Sequence, residues 1–546
     1  MFSSADRRNL RSGAQALVES LEKAGTEVVF GYPGGNVIEL FDHIRTAKFK
    51  FVLARHEQGS THMADGYARA TGRPGVVVVT SGPGATNAIT GLATANVDGV
   101  PIVLISGQVP LSQIGTDAFQ EADMTGICRA ATKHSFLVQN ADEIPETVAE
   151  AFYIATHGKP GAVVIDVPRN VQEELTAAQY SERISLRAYH PEHAASSREV
   201  NILAKLVNEA KRPLIYAGGG VIAAGAAVDV ATLARKAEIP VATTLMGIGS
   251  IDERDELALK MAGLHGSYGA NAALAHADLV LALGVRFNDR VTDAFVRSPR
   301  RVKIVHVDCD PSSIDKNVPV ELGIVADIKD LLTTVDSRIR PNHHREWMRR
   351  IQEWKRAFPF AYRLRKGVIM PQSVIEAIDR ESDDETILVT DVGQHQMWCA
   401  QFFKHRHPRH LLTSGGMGTM GFGIPAAIGA AVATHARKVV AVLGDGGAQM
   451  TAEELIVAVE EHLPIAFVIV NNHCLGMVRQ MQKSHFARRY SATAISSPDF
   501  VKLAAAHGLA AMRVCDPTKL DAAVRKVMRA RKPMLLEVEV DGEASV

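Results

Sequence analysis

Residues 439–447 read Val-Val-Ala-Val-Leu-Gly-Asp-Gly-Gly: an apolar run that stops at an aspartate set among glycines. A short, continuous, β-branched run bounded by glycine is the pattern of a strand buried on both faces of a parallel sheet. The glycines permit a tight turn and a close approach of backbone to ligand. The next such run, Ile465–Val470, ends in Asn471-Asn472. Twenty-four residues lie between Gly446 and Asn471, the length that one helix, expected over Ala452–Glu461, and two turns require. Neighbouring parallel strands then deliver Asp445 and Asn472 to one carboxyl edge, where open α/β sheets bind ligands. One charged and one neutral oxygen donor suit Mg²⁺, which also takes phosphate oxygens and water, and glycine N–H groups suit a phosphate.

The same alternation of β-branched and amphipathic runs extends along the chain and predicts βαβ units. A first series has Val28–Phe30, Phe51–Ala54, Gly75–Thr80, Ile102–Ser106 and Ala162–Val167; a second has Pro213–Ala217, Pro240–Thr244, Leu279–Gly284 and Lys303–Asp308; a third has Thr386–Thr390, Val439–Leu443, Ile465–Val470 and Met534–Val540. Polar stretches without strand signals, 173–198 and 337–366, separate the series, the latter read as partly helical. The expectation is three doubly wound parallel-sheet α/β domains, at 1–180, 195–335 and 365–546. A chain of 546 residues is too long for one core in any case.

Apolar residues make up 47% and charged residues 22% of the chain, a globular composition. Lys+Arg and Asp+Glu are equal at 60 each, so no global field favours nucleic acid or an anionic membrane. The longest apolar stretches fall short of the roughly 20 residues of a membrane helix. The start, Met1–Arg11, has no apolar signal core, and helical patterning begins at Ser12–Ala24. Five scattered cysteines without metal-ligand spacing point to free thiols. The expected setting is cytoplasmic.

In the first series, the strand Phe51–Ala54 leads into Arg55-His56-Glu57-Gln58-Gly59 and a helix expected over Ser60–Ala70. A glutamate there is also favourable simply as an anion at a helix start. Together, the Gly-Asp-Gly…Asn-Asn pair and Glu57 resemble the motifs of thiamine-diphosphate enzymes. Across nearly the whole chain, further stretches are similar to acetohydroxyacid (acetolactate) synthases: Gly31–Gly35, Ser81–Asn87, Gly107–Pro110, Ile114–Glu121, Gly284–Thr292, Asp391–Trp398 and Gly418–Gly423.

That resemblance implies a pyrimidine domain, a central FAD domain and a diphosphate domain. It implies decarboxylation of pyruvate on thiamine diphosphate and transfer of the hydroxyethyl carbanion to pyruvate or 2-ketobutyrate. The products would be 2-acetolactate or 2-aceto-2-hydroxybutyrate, early intermediates of valine and isoleucine biosynthesis. By resemblance, Glu57 faces the aminopyrimidine ring, Phe119 and Gln120 line the reaction chamber, Arg290 holds the carboxylate of the second keto acid and Arg169 stands near the entrance. Mg²⁺ takes Asp445, Asn472 and the carbonyl of Cys474. Gly34, Gln394, His395, Met397, Gly418, Met420, Gly444, Gly446, Gly447, Leu475, Gly476 and Met477 surround thiamine diphosphate. Lys159, Gly219, Leu245, His265, Gly284, Arg286, Asp289 and Asp308 surround FAD. The family pattern further implies a homodimer or homotetramer with its site at the subunit interface, and leaves a small regulatory subunit open.

Four features depart from the family. Met481 replaces a tryptophan that favours 2-ketobutyrate, Arg169 replaces a lysine, and Asn36 replaces a small apolar residue. The sequence also ends at Val546, before a segment that covers the family's active site; leakage of acetaldehyde is the expectation. Two other readings stay open: a thiamine/flavin oxidoreductase of the pyruvate oxidase sort, and a catalytically diverged paralogue, which the presence of Glu57, Asp445 and Asn472 argues against.

Overall fold

A computed structural model describes residues 10–184, 186–291, 302–434 and 437–546; Thr292 and the first nine residues of the sequence lie outside it. Three six-stranded sheets follow one another along the chain, all of their ladders parallel. The first has the order Lys50–Leu53, Val28–Tyr32, Gly75–Val79, Ile102–Gln108, Ala162–Pro168, His134–Leu137. The second runs Ala258–Met261, Val241–Thr243, Pro213–Ala217, Leu279–Leu283, Lys303–Asp308, Leu322–Val325. The third runs Leu411–Leu412, Ile387–Thr390, Val439–Gly444, Ile465–Asn471, Met534–Glu539, Ala510–Val514. The doubly wound α/β class expected from the sequence is found in all three.

The central strands are wholly buried, as their apolar runs require: Gly75–Val79, Ile102–Gln108 and Ile465–Asn471 have no exposed position. Val439 pairs with Ile465 and Gly444 with Val470, so Asp445 and Asn472 leave the sheet side by side. Between these strands the expected single helix is broken. Asp445–Met450 and Leu455–Glu460 are α-helical, with a 3₁₀ turn at Ala452–Glu454.

The polar stretch 337–366 contains the helix Arg345–Ala357, which packs onto the second sheet through Trp347 and Ile351. The Trp347 indole N–H donates to the Pro213 carbonyl at 3.0 Å. Near the start, Arg11–Ser12 pairs antiparallel with Leu175–Thr176. No described helix is long and apolar enough to cross a membrane.

The first and third domains share one apolar cluster, running from Val28 and Phe30 to Phe422 and Phe467. Its centre is a crossing of two helices, Glu57–Thr71 and Gly423–Thr434. A Cβ at Gly66 would lie 2.1 Å from the Ala426 carbonyl oxygen, and one at Gly429 would lie 1.8 Å from that of Met63. Only glycine lets the backbones approach so closely. Alanine in a helix interior normally stabilises by up to about 1 kcal/mol relative to glycine. Here Gly429→Ala is expected to destabilise by about 1–3 kcal/mol, as over-packed cores do. A melting temperature equal to or above the parent's would show that the crossing is looser than described.

Candidate functional site

A cavity of about 1110 Å³ lies where the second and third domains meet, with residues 97–99 and 156–160 of the first domain at its side. Its floor on the third-domain side is the carboxyl edge that carries Gly444, Asp445, Gly446 and Gly447, with Asn472 and Cys474 from the next strand. Asp445 is buried, and burial pushes its carboxyl up to about 6; Ser497 donates to its Oδ2 at 3.2 Å. Of the two asparagines, Asn471 is structural, donating to Glu537 Oε1 at 2.8 Å. Asn472 faces the cavity, its Oδ1 accepting from the Cys474 N–H at 3.2 Å. Among the described residues no three His, Cys, Asp or Glu side chains form a metal cluster, so a cation held here would rest on one carboxylate, one amide oxygen and a carbonyl.

The walls suit an anionic group. His395 is buried, its imidazole held neutral by burial at a pKa of about 4, and its Nε2 has no partner. The ring packs against Gly444, where a Cβ would come within 3.0 Å. Gly476 opens the helix Gly476–His485, and a Cβ there would collide with Gln394 Oε1 at 2.1 Å. A glycine-lined pocket with an unpartnered buried nitrogen and two helix starts fits a diphosphate. Gln394 itself donates to Gln480 Oε1 at 2.8 Å and to the Ala544 carbonyl at 3.1 Å. Met397, Gly418, Met420, Leu475, Met477 and Met481 complete this half of the lining.

The loop bearing Met420 is fixed by Asp391, a buried carboxyl that accepts N–H bonds from Val392 (2.7 Å), Gly421 (3.0 Å) and Gly423 (2.9 Å). Burial pushes it up to about 6. The sequence marked this stretch only by resemblance; the residue's bracketing role was missed, since nothing local distinguishes it from any aspartate after a strand.

The cavity continues over the second domain, where Gly219, Leu245, His265, Gly284, Arg286 and Asp308 line it, with Lys159 reaching in from the first. The glycine triplet has a steric reason: a Cβ on Gly218 would lie 2.0 Å from the Gly284 carbonyl oxygen, and Gly284 itself has φ +59°. Asp308 ends its strand buried, its carboxyl pushed up to about 6. An elongated, glycine-walled cavity reaching a strand-end aspartate fits a dinucleotide. Arg290 also lines the cavity, half-exposed and 3.8 Å from Asp289; the Asp289 side chain is directed largely to solvent and is not part of the lining.

Five expected site residues lie elsewhere. Gly34, Glu57, Phe119 and Gln120 gather at the carboxyl edge of the first sheet, around residues 80–87. Glu57 opens its helix, three residues earlier than expected, and accepts from Asn87 Nδ2 at 3.0 Å. A Cβ on Gly34 would strike Thr80, and one on Gly82 would strike Gln120. Phe119 is 87% exposed. Asn36, the departure from the family, donates to Ser81 Oγ at 2.6 Å and braces the same edge. Arg169 sits apart, its guanidinium shared between Glu39 and Glu173, each at 3.1 Å. None of the five lines the cavity of the same chain.

Another residue missed from sequence, Glu454, ties the two edges together. It is fully buried and accepts the N–H groups of Arg55 (3.0 Å) and His56 (2.9 Å), directly before Glu57.

Three descriptions of thiamine pyrophosphate enzymes match successive parts of the chain: the N-terminal TPP binding domain at residues 11–127, the central domain at 200–335 and the C-terminal TPP binding domain at 391–538. The chain is 42% identical over 541 residues to the acetolactate synthase large subunit of Haemophilus influenzae, spanning 97% of this chain and 94% of that one. It is 43% identical over 564 residues to the mitochondrial acetolactate synthase catalytic subunit of Saccharomyces cerevisiae (98% and 81%). It is 40% identical over 549 residues to the isozyme 3 large subunit of Escherichia coli (98% and 96%).

Burial pushes the Glu454 carboxyl from 4.5 up to about 8. A carboxyl raised in the folded state keeps its proton there while the unfolded chain loses it, so stability falls as pH rises from about 4.5 towards 8. Glu454→Gln removes that dependence while keeping an acceptor oxygen. Denaturant titrations are expected to show the variant gaining on the parent by about 4 kcal/mol between acid and mildly alkaline pH; a constant gap would mean that Glu454 is ionised throughout.

Proposed function

Because the chain belongs to the thiamine pyrophosphate enzymes, among the acetolactate synthase large (catalytic) subunits, we propose that the cavity and the Glu57 edge are two halves of one carboligase site, completed between two copies of the chain. The reaction is acetolactate synthesis: pyruvate loses CO2 and its two-carbon remainder joins a second 2-keto acid. The observation that carries the site assignment is the pairing of adjacent strands that sets Asp445 beside Asn472 above the unpartnered His395 Nε2.

When bound, thiamine diphosphate supplies the electron sink for decarboxylation. Asp445, Asn472 and the Cys474 carbonyl would hold Mg²⁺, and His395, Gly446 and the start of the Gly476 helix would bind the phosphate oxygens of the coenzyme. Met420 and Leu475, which approach Gly446, prop the coenzyme between the halves. Glu57, oriented by Asn87, holds a proton at the pyrimidine ring nitrogen. Arg290 binds the carboxylate of the acceptor keto acid; a guanidinium does so bidentately and stays charged. Phe119 and Gln120, contributed by the second copy, would cover the reacting centre and exclude water.

The remainder of the cavity would hold FAD: Gly219 and Gly220 would admit its diphosphate, Asp308 would accept from ribose hydroxyls, and Arg286 and Lys159 would supply cations. Its part is structural. The names of the relatives as large or catalytic subunits support a separate small regulatory subunit, and five unpaired cysteines support a cytoplasmic setting.

Assays with pyruvate, Mg²⁺, thiamine diphosphate and FAD test the shared site. Glu57→Gln and Asp445→Asn are each expected to lower acetolactate formation by roughly 100-fold. Co-expressed, the two variants place both defects in one site of each hybrid dimer and leave the other intact, so about a quarter of parental activity should return. No recovery would assign both residues to a site within one chain. Pyruvate-dependent flavin bleaching at the turnover rate would instead mark an oxidoreductase.

Met481 lines the cavity 40% exposed, where an indole would offer apolar surface to the extra methylene of 2-ketobutyrate. Met481→Trp is expected to raise the share of 2-aceto-2-hydroxybutyrate from equimolar pyruvate and 2-ketobutyrate by roughly 10-fold; an unchanged product ratio would remove this residue from the acceptor subsite.

A further inference from the structure

Asp98 closes the helix Ile89–Asp98 of the first domain, and its side chain is fully buried. Its Oδ2 accepts from Arg69 Nη2 at 3.0 Å and from the Gly415 N–H at 3.0 Å; its Oδ1 accepts from the Gly416 N–H at 2.7 Å and lies 3.7 Å from Arg286 Nη2. One carboxylate thus receives all three domains. Arg286 is anchored a second time, donating from Nη1 to the Val97 carbonyl at 2.6 Å.

The loop that Asp98 holds runs from Ser414 to Met420. Its other end is strapped to the same helix, Thr419 Oγ1 lying 2.7 Å from Thr94 Oγ1. There is no slack at the junction. A Cβ on Gly416 would fall 2.8 Å from Asp98 Oδ1 and 2.9 Å from Arg286 Nη2, and one on Gly415 would fall 2.3 Å from Met246 Sδ. Arg286 and Met246 line the flavin part of the cavity, while Gly418 and Met420 line the thiamine part.

A carboxylate shared by two guanidiniums and two N–H groups divides its acceptor strength among them. An anionic dinucleotide that drew the Arg286 guanidinium away would weaken its 3.7 Å ion pair with Oδ1 and leave that oxygen to the Gly416 N–H. The bond to the loop would then strengthen and the loop would stiffen beside the thiamine pocket.

We propose that Asp98 is a positioning residue through which FAD bound on the middle domain orders the Ser414–Met420 loop and tightens the binding of thiamine diphosphate. The proposal rests on the flavin reading above and extends it, giving a redox-silent flavin a mechanical task.

The test uses the full-length protein with Mg²⁺ and measures three things: FAD binding by flavin fluorescence, thiamine diphosphate binding by quenching of tryptophan fluorescence, and hydrogen exchange of the 414–420 amides. In the parent, FAD is expected to slow exchange at Gly415 and Gly416 and to tighten thiamine diphosphate roughly 5-fold or more; reciprocity requires thiamine diphosphate to tighten FAD by the same factor. Asp98→Asn should still bind FAD but lose the protection and the mutual tightening, and Asp98→Glu should restore part of both. A purely structural aspartate would lower the melting temperature and leave the coupling factor unchanged, which would overturn the proposal. So would parental protein that binds FAD without protecting the loop, a result that needs no variant to fold. Failure of the parent to bind FAD at all would instead overturn the flavin reading and the coupling with it.

Discussion

The close crossing of the helices Glu57–Thr71 and Gly423–Thr434 sets the geometry on which both halves of the site depend. Each helix begins at a carboxyl edge: one opens with Glu57, the other follows directly on the loop that carries Met420. With backbone against backbone at Gly66 and Gly429, neither helix can slide without breaking the apolar cluster shared by the first and third domains. The crossing therefore determines where Glu57 stands relative to Gly423 of its own chain, and Glu454 adds a second tie nine residues beyond Asp445.

Buried carboxylates recur as the brackets of this frame. Asp391 gathers the turn around Gly421, Glu454 gathers the turn before Glu57, and Asp98 gathers the Gly415–Gly416 turn. The oxygens of a carboxyl group accept several hydrogen bonds, so one side chain can pin two or three backbone N–H groups of an irregular loop that has no sheet or helix partner for them. The cost is desolvation, visible in the raised pKa of Asp391 and Glu454. Asp98 is set between two arginines instead. Loops held in this way can approach a ligand through bare glycine, which a loop filled by side chains could not do.

The sequence made the centres of the sheets legible and left their edges obscure. Ile102–Gln108 and Ile465–Asn471 announce themselves because both faces are buried, which forces continuous apolar runs. His134–Leu137 and Ala510–Val514 escaped notice because edge strands expose part of each face and carry polar residues there. Among the candidate site residues, those at fixed spacing from a strand end, Asp445, Asn472 and Glu57, could be picked out from sequence. Their supports were not: Asp98, Asp391 and Glu454 act across separations of 30 to about 400 residues, beyond any local pattern. Asn36 and Arg169 stood out in sequence only as departures, and their partners Ser81, Glu39 and Glu173 give them structural work.

A divided site can in principle be closed by hinging two domains of one chain together or by bringing up a second chain, and the physical frame discriminates between them. Hinging would have to part the helices at Gly66 and Gly429, exposing a cluster that includes Phe30, Met63, Phe422 and Phe467, each almost wholly buried. At about 25 cal/mol per Å² of apolar surface, exposing even a few such side chains costs more than closure around a small keto acid could return. A second chain asks for no such rupture. It would leave the crossing intact, and it would cover Phe119 and Ile38, which stand 87% and 60% exposed. On the proposed shared site, the rigidity that keeps Glu57 away from its own chain's cavity is what would present it, already oriented, to another's.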